Sequence, residues 1–215
     1  VNLSLRLTKR VFFCEIATPA LGRLAMTEKM GKIIFIIGGV RSGKSKYAIK
    51  LAKNTTNEVI FLATGIAKDE EMKKRIEEHK KSRPDRWRTI EETKNISSIL
   101  LDIQPPCELV IIDCLTFFVS NLLLQGVSEE TILQEIKKIV DIVLQVDYTT
   151  IVVSNEVGGG VVPGNQLARR FRDIIGLTNQ IMAKSAHEVY LIVSGIPVKL
   201  KENFDGEVKR NHSGD

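Results

Sequence analysis

The 215-residue sequence predicts an α/β domain with a mostly parallel sheet and helices on both faces. Three observations carry this. Short β-branched runs alternate with helical periodicities along most of the chain. The runs are continuously apolar rather than alternating, as in strands buried on both faces. One of them ends in a glycine-rich turn that opens directly into a helix.

Taken in order, strands are expected at Lys32–Ile37, Glu58–Ala63, Leu109–Asp113, Thr150–Ser154 and Glu188–Val193. Helices are expected between them at Gly43–Lys53, Asp69–Lys81, Thr93–Ile103, Ser128–Gln145 and Asn165–Ala186. In the helix from Ser128, residues Ile132, Ile136, Ile139, Val140 and Val143 recur at steps of three and four, giving one buried stripe. There are no internal repeats and no low-complexity segments. Residues 1–30 are basic, with Arg6, Lys9, Arg10, Arg23 and Lys29 against Glu15 and Glu28. They are expected to lie outside the core, as an upstream start rather than a signal peptide or an organelle-targeting arm. The folded domain is expected over 31–201, with a polar tail at 202–215.

Composition narrows the class. With 43% hydrophobic residues, 15 glycines and 6 prolines, collagen-like, coiled-coil and disordered chains are excluded. No apolar run has the length of a membrane span. Cys14, Cys107 and Cys114 make no paired framework or C-x-x-C spacing, which fits a reduced cytoplasmic protein without structural zinc. A net charge of +5 suits an anionic small molecule as well as nucleic acid. Aromatic residues do not interleave with the basic cluster, which counts against nucleic acid.

The segment Gly38-Gly39-Val40-Arg41-Ser42-Gly43-Lys44-Ser45 matches G-x-x-x-x-G-K-[ST] and sits between a buried strand and a helix. Glycines let backbone N–H groups converge on phosphate oxygens, and the helix N-terminus adds its partial positive charge. Lys44 is placed to reach the β/γ-phosphates and Ser45 to ligate Mg²⁺. A carboxylate for the same cation is expected at the end of a neighbouring strand, and Leu109-Val110-Ile111-Ile112-Asp113 supplies one. The competing reading of Asp113 is a cap for a helix starting near Leu115. Cys114 reads as a small buried filler.

The helix opened by Asp69-Glu70-Glu71 is almost wholly charged, apart from Met72 and Ile76. His79 falls on their face at helical spacing. Packing alone would account for such a histidine, but Lys80, Lys81 and Arg83 surround it and Pro84 ends the helix. That cluster suits a polyphosphate leaving group, and an imidazole nitrogen beside a triphosphate can attack it to form a phosphoramidate. Asn155-Glu156-Val157-Gly158-Gly159-Gly160 follows a strand end, where open α/β sheets bind ligands. Arg169, Arg170 and Arg172 share one helix and fit a functional face or a solvated one equally.

Together these segments resemble the bifunctional adenosylcobinamide kinase / adenosylcobinamide-phosphate guanylyltransferase family of cobalamin biosynthesis. The matching stretches are GGVRSGKS, FLATGIAKDEEMKKRIEEHKKSRPDRWRTIE, VIIDCLTFFVSNLL, VVSNEVGGGVVPGNQLARRFRDIIGLTNQ and VYLIVSGIPVKLK. The resemblance implies a single P-loop NTPase-like (RecA-like) domain and two reactions. A nucleoside triphosphate, GTP or ATP, phosphorylates adenosylcobinamide. GTP then guanylylates a histidine with loss of pyrophosphate, and GMP passes to adenosylcobinamide phosphate, giving adenosylcobinamide-GDP.

The guanylylated histidine falls on His79; the preceding position, a second histidine in some members, is Glu78 here. Implied nucleotide contacts are Gly38 to Ser45, Thr64, Gly65, Ile66, Lys80, Lys81, Ser82, Arg83, Glu91 and Asp113. The resemblance also implies a homotrimer. A regulatory GTP switch would want N-K-x-D, and Asn155-Glu156-Val157-Gly158 lacks its Lys and Asp. An ordinary small-molecule kinase, with His79 merely packed, is the remaining alternative.

Overall fold

The computed structural model describes residues 31–67 and 70–202. The basic extension at 1–30 and all of the polar tail except Glu202 lie outside the described residues. Thirteen elements alternate through the described chain. They are β1 (Ile33–Gly38), α1 (Lys44–Thr55), β2 (Val59–Ala63), α2 (Glu70–Lys81), β3 (Arg88–Glu91), α3 (Ile96–Asp102) and β4 (Leu109–Asp113). Then follow α4 (Leu115–Leu124), α5 (Glu129–Gln145), β5 (Thr149–Asn155), α6 (Gln166–Ser185), β6 (Glu188–Val193) and β7 (Ile196–Glu202). They form one seven-stranded sheet in the order β3-β2-β4-β5-β1-β6-β7. Every pairing is parallel except β6 with β7.

Strand periodicity divides the core between the two faces of this sheet. Ile33 and Phe35 of β1 pack with Val110, Ile112 and Val152 beneath α3, α4, α5 and α6. Ile34 and Ile36 point the other way, joining Phe61, Ile111 and Val153 against Ala48, Ile49 and Ala52 of α1 and the buried Trp87. The five expected strands and five expected helices are all present, within a few residues at their ends. The α5 stripe is buried as its spacing predicts. Caps set two of the starts: Ser128 Oγ accepts from Thr131 N at 3.2 Å, and Asn165 Oδ1 from Ala168 N at 2.7 Å.

Strands β3 and β7 are additions to the sequence expectation. Both sit at sheet edges and are mostly exposed. Glu202, read with the polar tail, is the last residue of β7 and pairs with Glu188.

Glu188 ties this edge together. Its carboxylate lies 2.5 Å from Lys32 Nζ and 3.2 Å from Lys199 Nζ, and accepts from Tyr190 OH at 2.6 Å. Burial pushes its pKa up, but hydrogen bonds from Lys32, Tyr190 and Lys199 outweigh burial and hold it at about 2. A depressed carboxyl stabilises the fold above its unfolded pKa, about 4.3, and that contribution is lost as pH falls through the folded value. Glu188→Gln is therefore expected to lower Tm at pH 7. The gap from wild type should close as both are melted at pH values falling toward 2.

Candidate active site

The carboxyl ends of five neighbouring strands build one wall. Glu91 pairs with Ala63, Ala63 with Asp113, Asp113 with Val153, and Gly38 with Asn155, across β3, β2, β4, β5 and β1. Strand β5 therefore stands between the glycine-rich loop on β1 and Asp113 on β4. That row, the loop, α2 and Phe117 of α4 enclose an open cavity of about 1130 Å³.

The loop's backbone is set by two glycines. A Cβ on Gly38 would lie 2.5 Å from the Ile192 carbonyl, and Gly43 has φ 99°, which disfavours any side chain. Gly43 caps α1 without a side-chain hydrogen bond, so the helix N-terminus faces the cavity uncovered. Lys44 is buried, and its Nζ donates to the Gly39 carbonyl at 2.5 Å. Val40, Arg41, Ser42, Gly43, Lys44 and Ser45 all line the cavity.

Asp113 lies on the same wall with one carboxylate oxygen buried and without a hydrogen-bond partner. It does not cap α4, whose first turn follows Cys114. Among the described residues no group of three or more His, Cys, Asp or Glu could hold a metal ion. The chemistry instead fits a hard cation bound by one or two protein oxygens together with phosphates, as Mg²⁺ is. Ser45 and Asp113 are the residues available for that. The Cys114 thiol is buried and pushed up to about 12 by burial and by Asp113, so it is an inert filler.

Helix α2 places His79 on the opposite wall, partly buried, with Ile76 beside it. Lys80 also faces the cavity and its Nζ lies 2.5 Å from Glu91 Oε1. Arg83 lies beyond the helix with its guanidinium 3.6 Å from the centroid of the Phe61 ring. Its Nε and one Nη are buried without partners. Burial lowers its pKa, against the opposing pull of Asp113 and Glu91, but a guanidinium stays charged. It is thus a fixed cation with donors to spare. Lys81 and Ser82 are exposed and off the cavity wall, and Ser82 Oγ donates to the His79 carbonyl at 2.7 Å.

Of the segment after β2, Gly65 and Ile66 line the cavity and Thr64 does not. Thr64 is fully buried. Its hydroxyl donates to the Cys114 carbonyl at 2.7 Å and accepts from Cys114 N at 2.8 Å. Its own carbonyl accepts from Asn121 Nδ2 at 2.9 Å. Thr64 therefore locks the end of β2 to the end of β4, holding Asp113 in place. Phe117 and Asn155 line the cavity too. Phe117 gives no sequence signal; Asn155 is marked by its place at a strand end. Asn155 N–H donates to Thr116 Oγ1 at 2.8 Å and its carbonyl accepts from Asn179 Nδ2 at 3.0 Å, which fixes its backbone. Arg169 donates to the carbonyls of Pro163 and Gly164 at 3.0 and 2.6 Å, pinning the loop after β5.

A mostly parallel sheet, a glycine-rich loop feeding a helix, and an acid two strands away define a nucleoside-triphosphate-binding fold of the P-loop kind. Residues 34–200 match the family model "Cobinamide kinase / cobinamide phosphate guanyltransferase", and the chain belongs to that family. It is 38% identical over 181 residues to the "Bifunctional adenosylcobalamin biosynthesis protein CobU" of Escherichia coli K12, covering 79% of this chain and 99% of that protein. It is 37% identical over 166 residues to CobP of Pseudomonas aeruginosa, covering 77% and 95%. Among solved structures, the flagellar accessory protein FlaH of Methanocaldococcus jannaschii matches with TM-score 0.46 at 15% identity, over 81% of this chain and 80% of that one. No helix among the described residues is long and apolar enough to cross a membrane.

Thr64→Val tests the lock. It keeps the shape but leaves the N–H of Cys114 buried and unpaired, while the Cys114 carbonyl keeps only its bond from Phe118 N at 3.3 Å, so unfolding by urea should show a loss of about 2 kcal/mol. Thr64→Ser keeps the hydroxyl and should recover most of it.

Proposed function

We propose that this chain phosphorylates adenosylcobinamide from a nucleoside triphosphate and then transfers GMP from GTP to adenosylcobinamide phosphate through a guanylyl-histidine. The observation that carries this is that His79 and the phosphate loop line one cavity. A histidine that merely packed would need no opening toward a triphosphate site.

In the kinase reaction the acceptor hydroxyl oxygen attacks the γ-phosphorus, the bond to the β-phosphate bridging oxygen breaks to release the nucleoside diphosphate, and the hydroxyl proton passes to solvent water. Backbone N–H groups of residues 39–45 and the α1 N-terminus hold the phosphates. Lys44 exchanges its bond to the Gly39 carbonyl for a phosphate oxygen and stabilises the charge that develops there. Ser45 and Asp113 would hold Mg²⁺, which when bound offsets the phosphate charge.

In the second reaction an unprotonated nitrogen of His79 attacks the α-phosphorus of GTP, and pyrophosphate leaves. The positive loop, Lys80 and Arg83 favour that departure electrostatically. A phosphate oxygen of adenosylcobinamide phosphate then attacks the same phosphorus, breaking the P–N bond and restoring the imidazole. Gly65, Ile66, Ile76 and Phe117 give this side of the cavity an apolar wall suited to a purine. The homotrimer and the cytoplasmic setting belong to the same proposal, the first resting on the family resemblance and the second on the unpaired cysteines of the sequence.

Lys44→Ala is expected to lower the kinase rate at saturating nucleotide by about 10²–10³-fold while leaving Tm near wild type. His79→Asn separates the two chemistries. Acid-labile label from GTP carrying a labelled α-phosphate should vanish, GMP transfer should vanish with it, and the kinase rate should largely survive. Equal losses in both reactions would instead identify a kinase with a packed histidine. Label persisting on the variant would assign the nucleophile to another residue.

A further inference from the structure

The phosphate loop has a second cavity on its other side. About 540 Å³ of space lies between Val40 and Ser42 of the loop, Val157 and Gly159 of the segment after β5, and Val193 and Ser194 at the end of β6. Its volume is within the roughly 300–1,000 Å³ usual for small-molecule sites. The β6–β7 turn is bound to the loop, with Gly195 N donating to the Ser42 carbonyl at 2.8 Å. The segment after β5 is bound to it through Glu156 N and the Gly38 carbonyl at 2.9 Å. The cavity is therefore part of the framework that shapes the loop.

We infer that this smaller cavity is the nucleoside site of the kinase donor, so that the two reactions use the one phosphate loop with the triphosphate running in opposite directions. The inference rests on the bifunctional reading above. Lys44, Ser45 and Asp113 line the large cavity and none lines the small one. The γ-phosphoryl group and its acceptor must therefore meet on the large side. Val40 and Ser42 line both cavities, so a phosphate chain crossing them delivers its nucleoside to the small side. Guanylylation demands the reverse. His79 lines the large cavity alone, so the α-phosphate and its guanosine lie there, with pyrophosphate on the loop.

Charge supports this assignment. The small cavity's lining includes one carboxylate, Glu156, and no lysine or arginine. A phosphate would find no cation there, whereas a neutral nucleoside, with its sugar hydroxyls as donors to a carboxylate, fits. Apart from Ser42 and Ser194 its other lining side chains are apolar, Val40, Val157, Leu191, Ile192 and Val193, which suits a purine face.

Gly159→Trp fills the cavity from a position where an added Cβ meets nothing within 4 Å. Val193→Trp, at a half-exposed residue, fills it from the opposite wall and serves if the first variant misfolds. Each variant is assayed with adenosylcobinamide and ATP, with GTP as donor in a parallel series, and for label uptake from α-labelled GTP. The donor KM of the kinase reaction should rise at least about tenfold, a loss of 1.4 kcal/mol. The rate and GTP dependence of labelling should stay within about twofold, a difference of about 0.4 kcal/mol or less from wild type. An unchanged donor KM overturns the inference. So does a rise in acceptor KM in place of donor KM, or a parallel loss of labelling. Wild-type protein that takes no label from GTP would bring down the bifunctional reading itself, and this inference with it.

Discussion

Strand β5 pairs with β1 on one side and β4 on the other, and this insertion sets the spacing between the phosphate loop and Asp113. Two strand widths place them roughly 10 Å apart, room for a phosphate and its cation between them. Direct neighbours would crowd the site. Because the pairings are parallel, all five strands end at the same edge, so Glu91, Asp113, Asn155 and the loop share one wall. The catalytic arrangement is thus a consequence of strand order before it is a matter of individual side chains.

Holding that wall costs buried polar groups. Thr64 and Asn121 satisfy the backbone where β2 and β4 end, and Thr116 and Asn179 do the same for β5. Against these satisfied groups stand buried atoms without partners on residues that line the cavity, an oxygen of Asp113 and nitrogens of Arg83. Unpartnered buried charge is expensive in a finished core. In a binding site it is a standing offer to a ligand that brings the missing partners.

Much of this was legible in the chain itself. Strands β1 and β4 are continuous apolar runs because both of their faces are covered, and the loop and Asp113 stand at their ends for the same reason. His79 could be placed on a face by counting from Ile76. Strand β3 could not be read: Arg88-Thr89-Ile90-Glu91 carries one apolar residue, and its pairing with β2 at the sheet edge supplies what its composition does not. Strand β7 follows β6 through a tight turn with no helix between, breaking the alternation that the rest of the chain teaches. The strand order, the Arg83–Phe61 contact and the Thr64–Cys114 lock join residues distant in sequence, and such pairings leave no local periodic trace. Thr64 illustrates the limit most clearly. It falls in a segment that the family resemblance assigns to nucleotide contact, and its hydroxyl is spent on Cys114.

If one phosphate loop serves both reactions, a triphosphate engaged for one must exclude the other. The direct measurement is the rate of label uptake from α-labelled GTP at rising concentrations of an ATP analogue with a non-hydrolysable β–γ linkage. Strictly competitive inhibition, overcome fully by GTP, is the predicted result. Labelling that falls to a plateau independent of GTP, or that continues unchanged with the analogue bound, would mean two separate phosphate sites and would contradict a single shared loop.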